Sequence, residues 1–577
     1  MEDYDGGADL VRILRSHAQT HGDRVAVQLA HEQGLTGRLT YAEVDRRAQA
    51  VAALLRAFTK AGDRVVLLFP ADPDFLPALF GCWYAGVVAV PLPYPVLGRH
   101  GERSLQQLAV GLEAVAPALV LTTDGLIAEL GDQNAALLGR YASVGQAAAV
   151  GLPWENDRAG HEIAVLQHTS GSTGQPKGVL VSHQNYAHNL RMLTDFTRSI
   201  APDVRHFQTV SWLPNFHDMG LALLLFTLHH AGTSTLIAPM SFLRDPGLWL
   251  RTISEVGGNL TAAPNFAYDL CVRRVSREAA AAMDLSTMGI MLNAAEPVRA
   301  DTMHRFTAHF APAGFQAAAF APAFGLAEGT VFVSGLRYGG DPPRTIRFDR
   351  RSLQDGVARP GGLEATSHTL VSCGRRPDGM SVRIVDPAGH TECPPGTIGE
   401  IWVHGPSVAL GYWQRTAQTA AVFAARLAGF DYHPYLRTGD LGFLWEGELF
   451  VVGRLADLIV LGGRLLQPQD IEYTIERSHP TLEGRRSAVF AYGEEEGWLA
   501  AVVEMRLNQP VDDDQRSALE AAIRDAVAAE HDVEISEVLI LRTGAIPVTT
   551  SGKVRRARCR QMLLSGALAG AHAGSRG

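Results

Sequence analysis

Residues 64–92 carry the pattern that most restricts the fold. Arg64–Pro70 (RVVLLFP) is an apolar run of strand length, residues 73–85 read as a helix, and Val87–Leu92 (VVAVPL) is a second apolar run. A strand, a helix and a strand in so short a stretch form a crossover, so the two strands lie parallel and buried. The alternation continues. Leu105, Leu108, Ala109, Leu112 and Val115 recur at helical spacing and stop before Pro117, and Leu119–Thr122 follows as a strand. It persists to about residue 330. From about 368 to 455 the chain changes to short strands and turns: LVSCG, MSVRIVD, GEIWVHG, GELFVVG. After Gly453 and Arg454 a smaller α+β unit begins. Its expected helices lie near 469–477 and 514–529, and its strands near 487–492, 498–506 and 538–542. The expected fold class is therefore α/β: a large N-terminal domain, 1–455, of parallel-rich sheets with helices and a β-rich subdomain, then a small α+β C-terminal domain, 456–577. The tail after about 562, rich in Gly, Ala and Ser, is expected to fray.

A chain of 577 residues exceeds one average core, which fits two domains. The net charge of −9 gives no global electrostatic case for nucleic acid. Five cysteines with no CxxC pair exclude a disulfide scaffold and the common zinc spacings, and they suit a reducing compartment. The start, MEDYDGGADL, is acidic and lacks an apolar signal core, so a cytoplasmic protein is expected. Phe75–Leu97 is free of charge, but Pro77, Pro91, Pro93, Pro95 and Gly86 divide it into pieces too short to span a bilayer.

The basic residues are 48 Arg and only three Lys: Lys60, Lys177 and Lys553. Two of the three sit in Gly/Ser/Thr loops, where a compact point charge differs from a guanidinium. The first of these loops, residues 168–178, reads HTSGSTGQPKG between two apolar strands. Its glycines allow close backbone approach, its hydroxyls can donate to phosphate oxygens, and Lys177 adds charge; together they suit a triphosphate. It is not a Walker A loop, because Gly178 follows the lysine where Ser or Thr is needed.

TSGSTGQPKGV resembles the signature loop of the adenylate-forming superfamily of acyl-CoA synthetases, peptide-synthetase adenylation domains and luciferases. Further segments match its successive motifs in order: SWLPNFHDMGL (211–221), NAAEPV (293–298), FGLAEGT (324–330), GEIWVHGPSVALGYW (399–413), LRTGDLGF (436–443), GRLADLIVLGGRLLQPQDIE (453–472) and TTSGKVRR (549–556). Within the superfamily, SWLPxxHDMGL, APNFAYDLC (263–271), LVSCG (370–374) and PQDIE resemble the fatty acyl-AMP ligases. Those activate a fatty acid with ATP and pass it to an acyl carrier protein. The resemblance implies that residues 331–368 are the insertion that restrains domain movement in that subfamily, and that the C-terminal domain is a mobile lid. No carrier segment follows residue 560, so the acceptor would act in trans. An acyl-CoA synthetase and a non-catalytic adenylate-binding relative are the alternatives.

The resemblance also implies the site. Thr169, Ser170, Gly171, Ser172, Thr173, Gly174 and Lys177 would bind the ATP phosphates. Asn293, Ala294, Ala295, Glu296, Phe324 and Gly325 would line the adenine, although Ala294 stands where the family commonly has Gly. Asp440 would accept from the ribose hydroxyls, with Arg454 contacting ribose or phosphate. Glu328 would ligate Mg²⁺, since a hard cation shared with phosphates takes few protein ligands. His217 would sit by the junction of carboxylate and phosphate, and Lys553 would reach across the domain gap to bridge the two. Phe216, Asp218, Met219 and Phe266 would border the acyl pocket. Lys553, Arg555, Arg556, Arg558 and Arg560 also form a basic run, which suggests solvation or an acidic partner. Ala456 and Leu465 depart from the family at the hinge, where Asp or Lys, and Asn, are usual.

Overall fold

The strand–helix–strand unit at 64–92 forms as read: strand Arg64–Leu67, helix Phe75–Ala85 and strand Val88–Pro91. The strands pair in parallel, Arg64 opposite Val88 and Leu67 opposite Pro91. Every residue of the helix is buried, and Gly86, at φ 70°, ends it in the left-handed conformation that favours glycine. The charge-free stretch is thus a core helix followed by a core strand. Among the described residues no helix is long and apolar enough to cross a membrane. The computed structural model describes residues 10–97, 101–150, 161–169, 177–337, 340–363, 366–429, 433–493, 497–505, 513–549 and 552–568.

This unit lies in a six-stranded sheet ordered Tyr141–Ser143, Leu119–Thr122, Arg64–Leu67, Val88–Pro91, Ile163–Thr169 and Lys177–Ser182. Its neighbours are parallel except the last pair. A seven-stranded sheet runs Phe320–Pro322, Ile290–Asn293, Leu260–Ala263, Gln208–Ser211, Thr233–Ile237, Val25–His31, Gly34–Thr40, antiparallel only at its final pair. A four-stranded antiparallel sheet follows: Ser381–Val385, Gly399–His404, Leu436–Trp445 and Glu448–Arg454. One apolar core joins the first two sheets and reaches Leu449 in the third. The α/β architecture with parallel-rich sheets and a β-rich part is the one expected.

Beyond Arg454 a separate core gathers residues from Ile459 to Ile540. It holds the three-stranded sheet of Ser487–Tyr492, Trp498–Met505 and Glu537–Arg542, with helices Pro468–Arg477 and Asp513–His531. Of the tail expected to fray, residues 565–568 are described and residues 569–577 lie outside the described residues. A helix continues over Arg556–Leu564, and Leu568 is buried in an apolar cluster with Cys559 and Leu541.

Residues from the 331–368 segment touch this smaller lobe. Strand Thr345–Asp349 pairs with Ser367–Val371, and helix Arg350–Gln354 lies between them. Arg350 donates to the Glu530 carbonyl and to Glu530 Oε1, and Gln354 donates to the His531 carbonyl. A second tether lies nearer the cleft. The Arg299 guanidinium stacks 4.0 Å from the Tyr473 ring centre and donates to the Gln469 carbonyl at 2.8 Å, while Tyr473 Oη donates to Asp301 Oδ2 at 2.7 Å.

Candidate active site

A continuous cavity of about 2270 Å³ runs between the two lobes and into the larger one. The antiparallel pair Ile163–Thr169 and Lys177–Ser182 delivers the two ends of the Gly/Ser/Thr loop to it. Thr169 sits opposite Lys177 in register, and both line the cavity. Ser170, Gly171, Ser172, Thr173 and Gly174 lie outside the described residues. Lys177 Nζ is 4.8 Å from the centre of the Tyr412 ring, within cation–π range. Tyr412 Oη in turn donates to Glu328 Oε1 at 2.7 Å. A backbone bridge between Val179 and Tyr412 fixes the tyrosine beside the lysine strand. Burial raises the Glu328 carboxyl above its ordinary range, against the pull of Tyr412 and Arg454. A lone buried carboxylate with one oxygen held by a phenol fits a Mg²⁺ ion shared with phosphates. Among the described residues no cluster of three or more His, Cys, Asp or Glu could hold a metal by itself.

The nucleotide wall comes from two turns. Phe324 and Gly325 form a two-residue strand paired with Phe332–Ser334. A Cβ on Gly325 would stand 1.7 Å from the Val331 carbonyl oxygen, so only glycine fits there. Ala294, Ala295 and Glu296 also face the cavity. Ala295 has φ 68°, a left-handed conformation that costs a side-chain-bearing residue about 1–2 kcal/mol. Asn293 departs from the expected lining. It is fully buried behind the wall, donating from Nδ2 to Asn265 Oδ1 at 3.3 Å. Across the cleft, Asp440 and Arg454 are paired in register on adjacent strands, and Arg454 Nε donates to Asp440 Oδ1 at 3.0 Å.

The third corner joins both lobes. His217 precedes helix Asp218–His229, and its Nδ1 lies 2.6 Å from Asp218 Oδ1. Burial would raise the Asp218 carboxyl, but His217, the Met219 amide and Lys553 outweigh it and hold it below its ordinary value. Lys553 comes from the smaller lobe. Its loop is closed by the Thr549 amide donating to the Lys553 carbonyl at 2.8 Å, and by the Lys553 amide donating to Thr549 Oγ1 at 3.1 Å. Burial and the Arg454 charge lower the Lys553 ammonium below the ordinary lysine range, while Asp218, Glu296 and Asp440 oppose them. Arg556 is not part of a solvated run. It is buried between Asp457 (2.8 Å) and Glu472 (2.6 Å), tying the lysine loop to the turn Leu455–Asp457 and the helix Pro468–Arg477.

Phe216, Met219 and Phe266 line the cavity, Phe266 at its rim with its amide donating to Glu296 Oε2. Leu193, Phe196, Phe226, Leu260 and Phe332 extend this apolar branch and were not anticipated. Their only sequence signal is helical or strand periodicity, which any core face shares. His168 was also missed as a site residue. It lines the cavity next to the loop, burial lowers it to about 4, and its Nε2 is buried without a hydrogen-bond partner among the described residues.

Residues 14–413 match the family model described as AMP-binding enzyme, and residues 456–572 that of the Disco-interacting protein 2-like AMP domain. The chain is 37% identical to the medium-chain-fatty-acid–[acyl-carrier-protein] ligase JamA of Moorena producens, over 97% of this chain and 95% of that protein. It is 36% identical to the long-chain-fatty-acid–AMP ligase FadD26 of Mycobacterium bovis, over 91% of both chains. The solved fatty acyl-adenylate ligase of L. pneumophila, in complex with acyl adenylate and pyrophosphate, superposes with a TM-score of 0.74 at 34% identity and 96% coverage of both chains.

Proposed function

Because the chain belongs to the AMP-binding enzymes and, among them, to the fatty acyl-AMP ligases, we propose that it adenylates a fatty acid in this cleft and then delivers the acyl group to an acyl carrier protein. The carrying observation is Lys553: an ammonium from the smaller lobe that lines the same cavity as Asp218, Glu296 and Asp440 of the larger one, whose negative charges favour its charged form.

A carboxylate oxygen attacks the α-phosphorus of ATP in line, the bond to the β-phosphate oxygen breaks, and pyrophosphate leaves. Two anions meet in this step, so fixed positive charge at the junction lowers the barrier. Lys553 supplies that charge, bridging the fatty acid oxygen and the α-phosphate, and His217 adds a donor at the same junction. Phe324 stacks on adenine, Gly325, Ala294, Ala295 and Glu296 border it, and Asp440 accepts from the ribose with Arg454 beside it. Thr169, Lys177 and the loop between them hold the β- and γ-phosphates. Glu328 would hold Mg²⁺, which neutralises phosphate charge when bound. In the second step a phosphopantetheine thiol attacks the acyl carbonyl, its proton is lost, and AMP departs. The contacts of Arg350 and Gln354 with Glu530 and His531 support the reading of residues 331–368 as a restraint on the lobe that carries Lys553. The domain division at 455/456 is proposed on the same ground, supported by the separate core that begins at Ile459.

Incubation with ATP, Mg²⁺ and dodecanoic acid tests the reading. Acyl-AMP that accumulates unchanged by coenzyme A is the expected product. Acyl-CoA would make the protein a synthetase instead, and no product would make it a non-catalytic binder.

Tyr412 positions both ends of the phosphate site. Tyr412→Phe keeps the ring under Lys177 and removes the bond to Glu328. It is expected to raise the Mg²⁺ concentration for half-maximal pyrophosphate release severalfold and to lower kcat about tenfold, the worth of one charge-assisted hydrogen bond. A Mg²⁺ titration of initial rates measures both; an unchanged Mg²⁺ dependence would remove Tyr412 from this role.

A further inference from the structure

The apolar branch of the cavity has a direction and an end. Helix Asp218–His229 starts at the reacting corner, where Asp218 faces Lys553. Its cavity-facing residues are Met219, Ala222, Leu223 and Phe226, a single helix face. The branch therefore runs along this helix, away from the nucleotide. Leu193, Phe196 and Thr197 of helix His183–Ile200 face it across the gap.

Phe226 is the last residue of this helix to line the cavity. That ring is 2% exposed and packs edge-on against Phe207 at 5.0 Å and tilted against His230 at 4.7 Å. His230 is itself fixed, its Nε2 lying 2.9 Å from Thr194 Oγ1. The next turn of the helix, His229, does not reach the cavity; its carbonyl pairs with His17 Nε2 at 3.1 Å. Thr197, the polar member of the lining, donates its hydroxyl to the Thr194 carbonyl. Among the described residues of these two helices that line the branch, beyond Asp218 at its mouth, the one polar side chain, Thr197, is thus already bonded within its own helix.

From Met219 to Phe226 the helix rises about 10 Å. An extended chain advances roughly 1.2 Å per bond, so about nine bonds fill the distance. We infer that Phe226 is the specificity-determining floor of the acyl pocket, and that the substrate is an unsubstituted medium-chain fatty acid of about ten carbons. This rests on the fatty acid reading of the cleft. It goes further by choosing among chain lengths that relatives of similar identity do not share.

The test is the wild-type enzyme with an even-numbered series of saturated acids from six to eighteen carbons and one 4-hydroxyphenylalkanoate, read as kcat/KM for acyl-AMP formation. The value is expected to rise about fourfold per methylene up to roughly ten carbons, then to fall at least tenfold by sixteen. Phe226→Ala is expected to move the optimum about four carbons longer. Ala222→Leu, which fills the branch halfway down, is expected to move it about four carbons shorter, and it decides the matter if Phe226→Ala does not fold. A wild-type preference for sixteen or more carbons or for the aryl acid would overturn the inference and leave the adenylation reading standing. An optimum unmoved in folded variants would do the same. No adenylation of any acid by the wild type would overturn both.

Discussion

Lys553→Ala is expected to reduce acyl-AMP formation about a thousandfold, the upper range for deleting one preorganised charge at a reacting centre. ATP affinity is expected to change by less than about threefold, because the phosphate loop, Asp440 and Phe324 lie on the larger lobe and do not need the lysine. Pyrophosphate release and equilibrium binding of labelled ATP measure the two separately. The reason for the split is geometric. Lys553 enters from the smaller lobe, and the charges facing it, Asp218, Glu296 and Asp440, come from three different elements of the larger one. Alanine leaves those carboxylates without their shared cation at the junction where two further anions must meet. Lys553→Arg is not expected to rescue, since a planar fork cannot take the place of a point charge between two oxygens. Near-wild-type pyrophosphate release from the alanine variant would end the assignment.

The same lysine sets an alkaline limit. Burial and Arg454 lower its ammonium below the ordinary lysine range. The working form is the charged one, so activity is full below the lowered value and falls as pH rises through it. The rate of acyl-AMP formation should therefore decline at a pH below that at which a free lysine would lose its proton. A flat profile into the range of a free lysine would place the working cation elsewhere.

What could be read from the sequence follows from what leaves a local trace. The buried strands at 64–67 and 88–91 were legible because short apolar runs flank a helix with Gly86 at its end. Lys177 and Lys553 stood out because lysine is so rare in this chain, and both line the cavity. Asn293 was misplaced because motif membership does not say which way a side chain points. On the strand Ile290–Asn293 the last residue turns inward to Asn265, while Leu292 before it and Ala294 after it line the cavity. Phe226 and Leu193 were invisible because a residue facing an apolar branch and a residue facing the core have the same periodicity. Arg556 was misread because five positives in eight residues look solvated until Asp457 and Glu472, some eighty to a hundred residues away, fold against one of them. Long-range pairing of that kind leaves no mark in a single sequence.

Gly325→Ala is expected to be the most damaging change on the nucleotide side. The strand Phe324–Gly325 pairs with Phe332–Ser334, and an added Cβ would lie 1.7 Å from the Val331 carbonyl oxygen, 2.8 Å from its carbon and 3.3 Å from Phe332 Cα. All three obstacles are backbone, so no rotamer change relieves them. The turn must instead open, which breaks the strand pair and shifts Phe324 on one side and Glu328 on the other. Both residues line the cavity, and both are tied to that turn: Phe324 by its pairing to Ser334, Glu328 by Tyr412 and by its carbonyl, which accepts from the Ala409 amide at 2.9 Å. A forced backbone shift in a packed core costs about 1–3 kcal/mol or more. The expected loss of ATP affinity is about a hundredfold, as stacking and phosphate alignment fail together. A thermal melt should fall by only about 1–3 °C, since the unfolding entropy of a chain of this size makes about 1 kcal/mol worth roughly 1 °C. Calorimetric ATP titration against the wild type reads the first effect and scanning calorimetry the second. A variant that binds ATP normally would mean that the adenine does not lie against Phe324 and its strand.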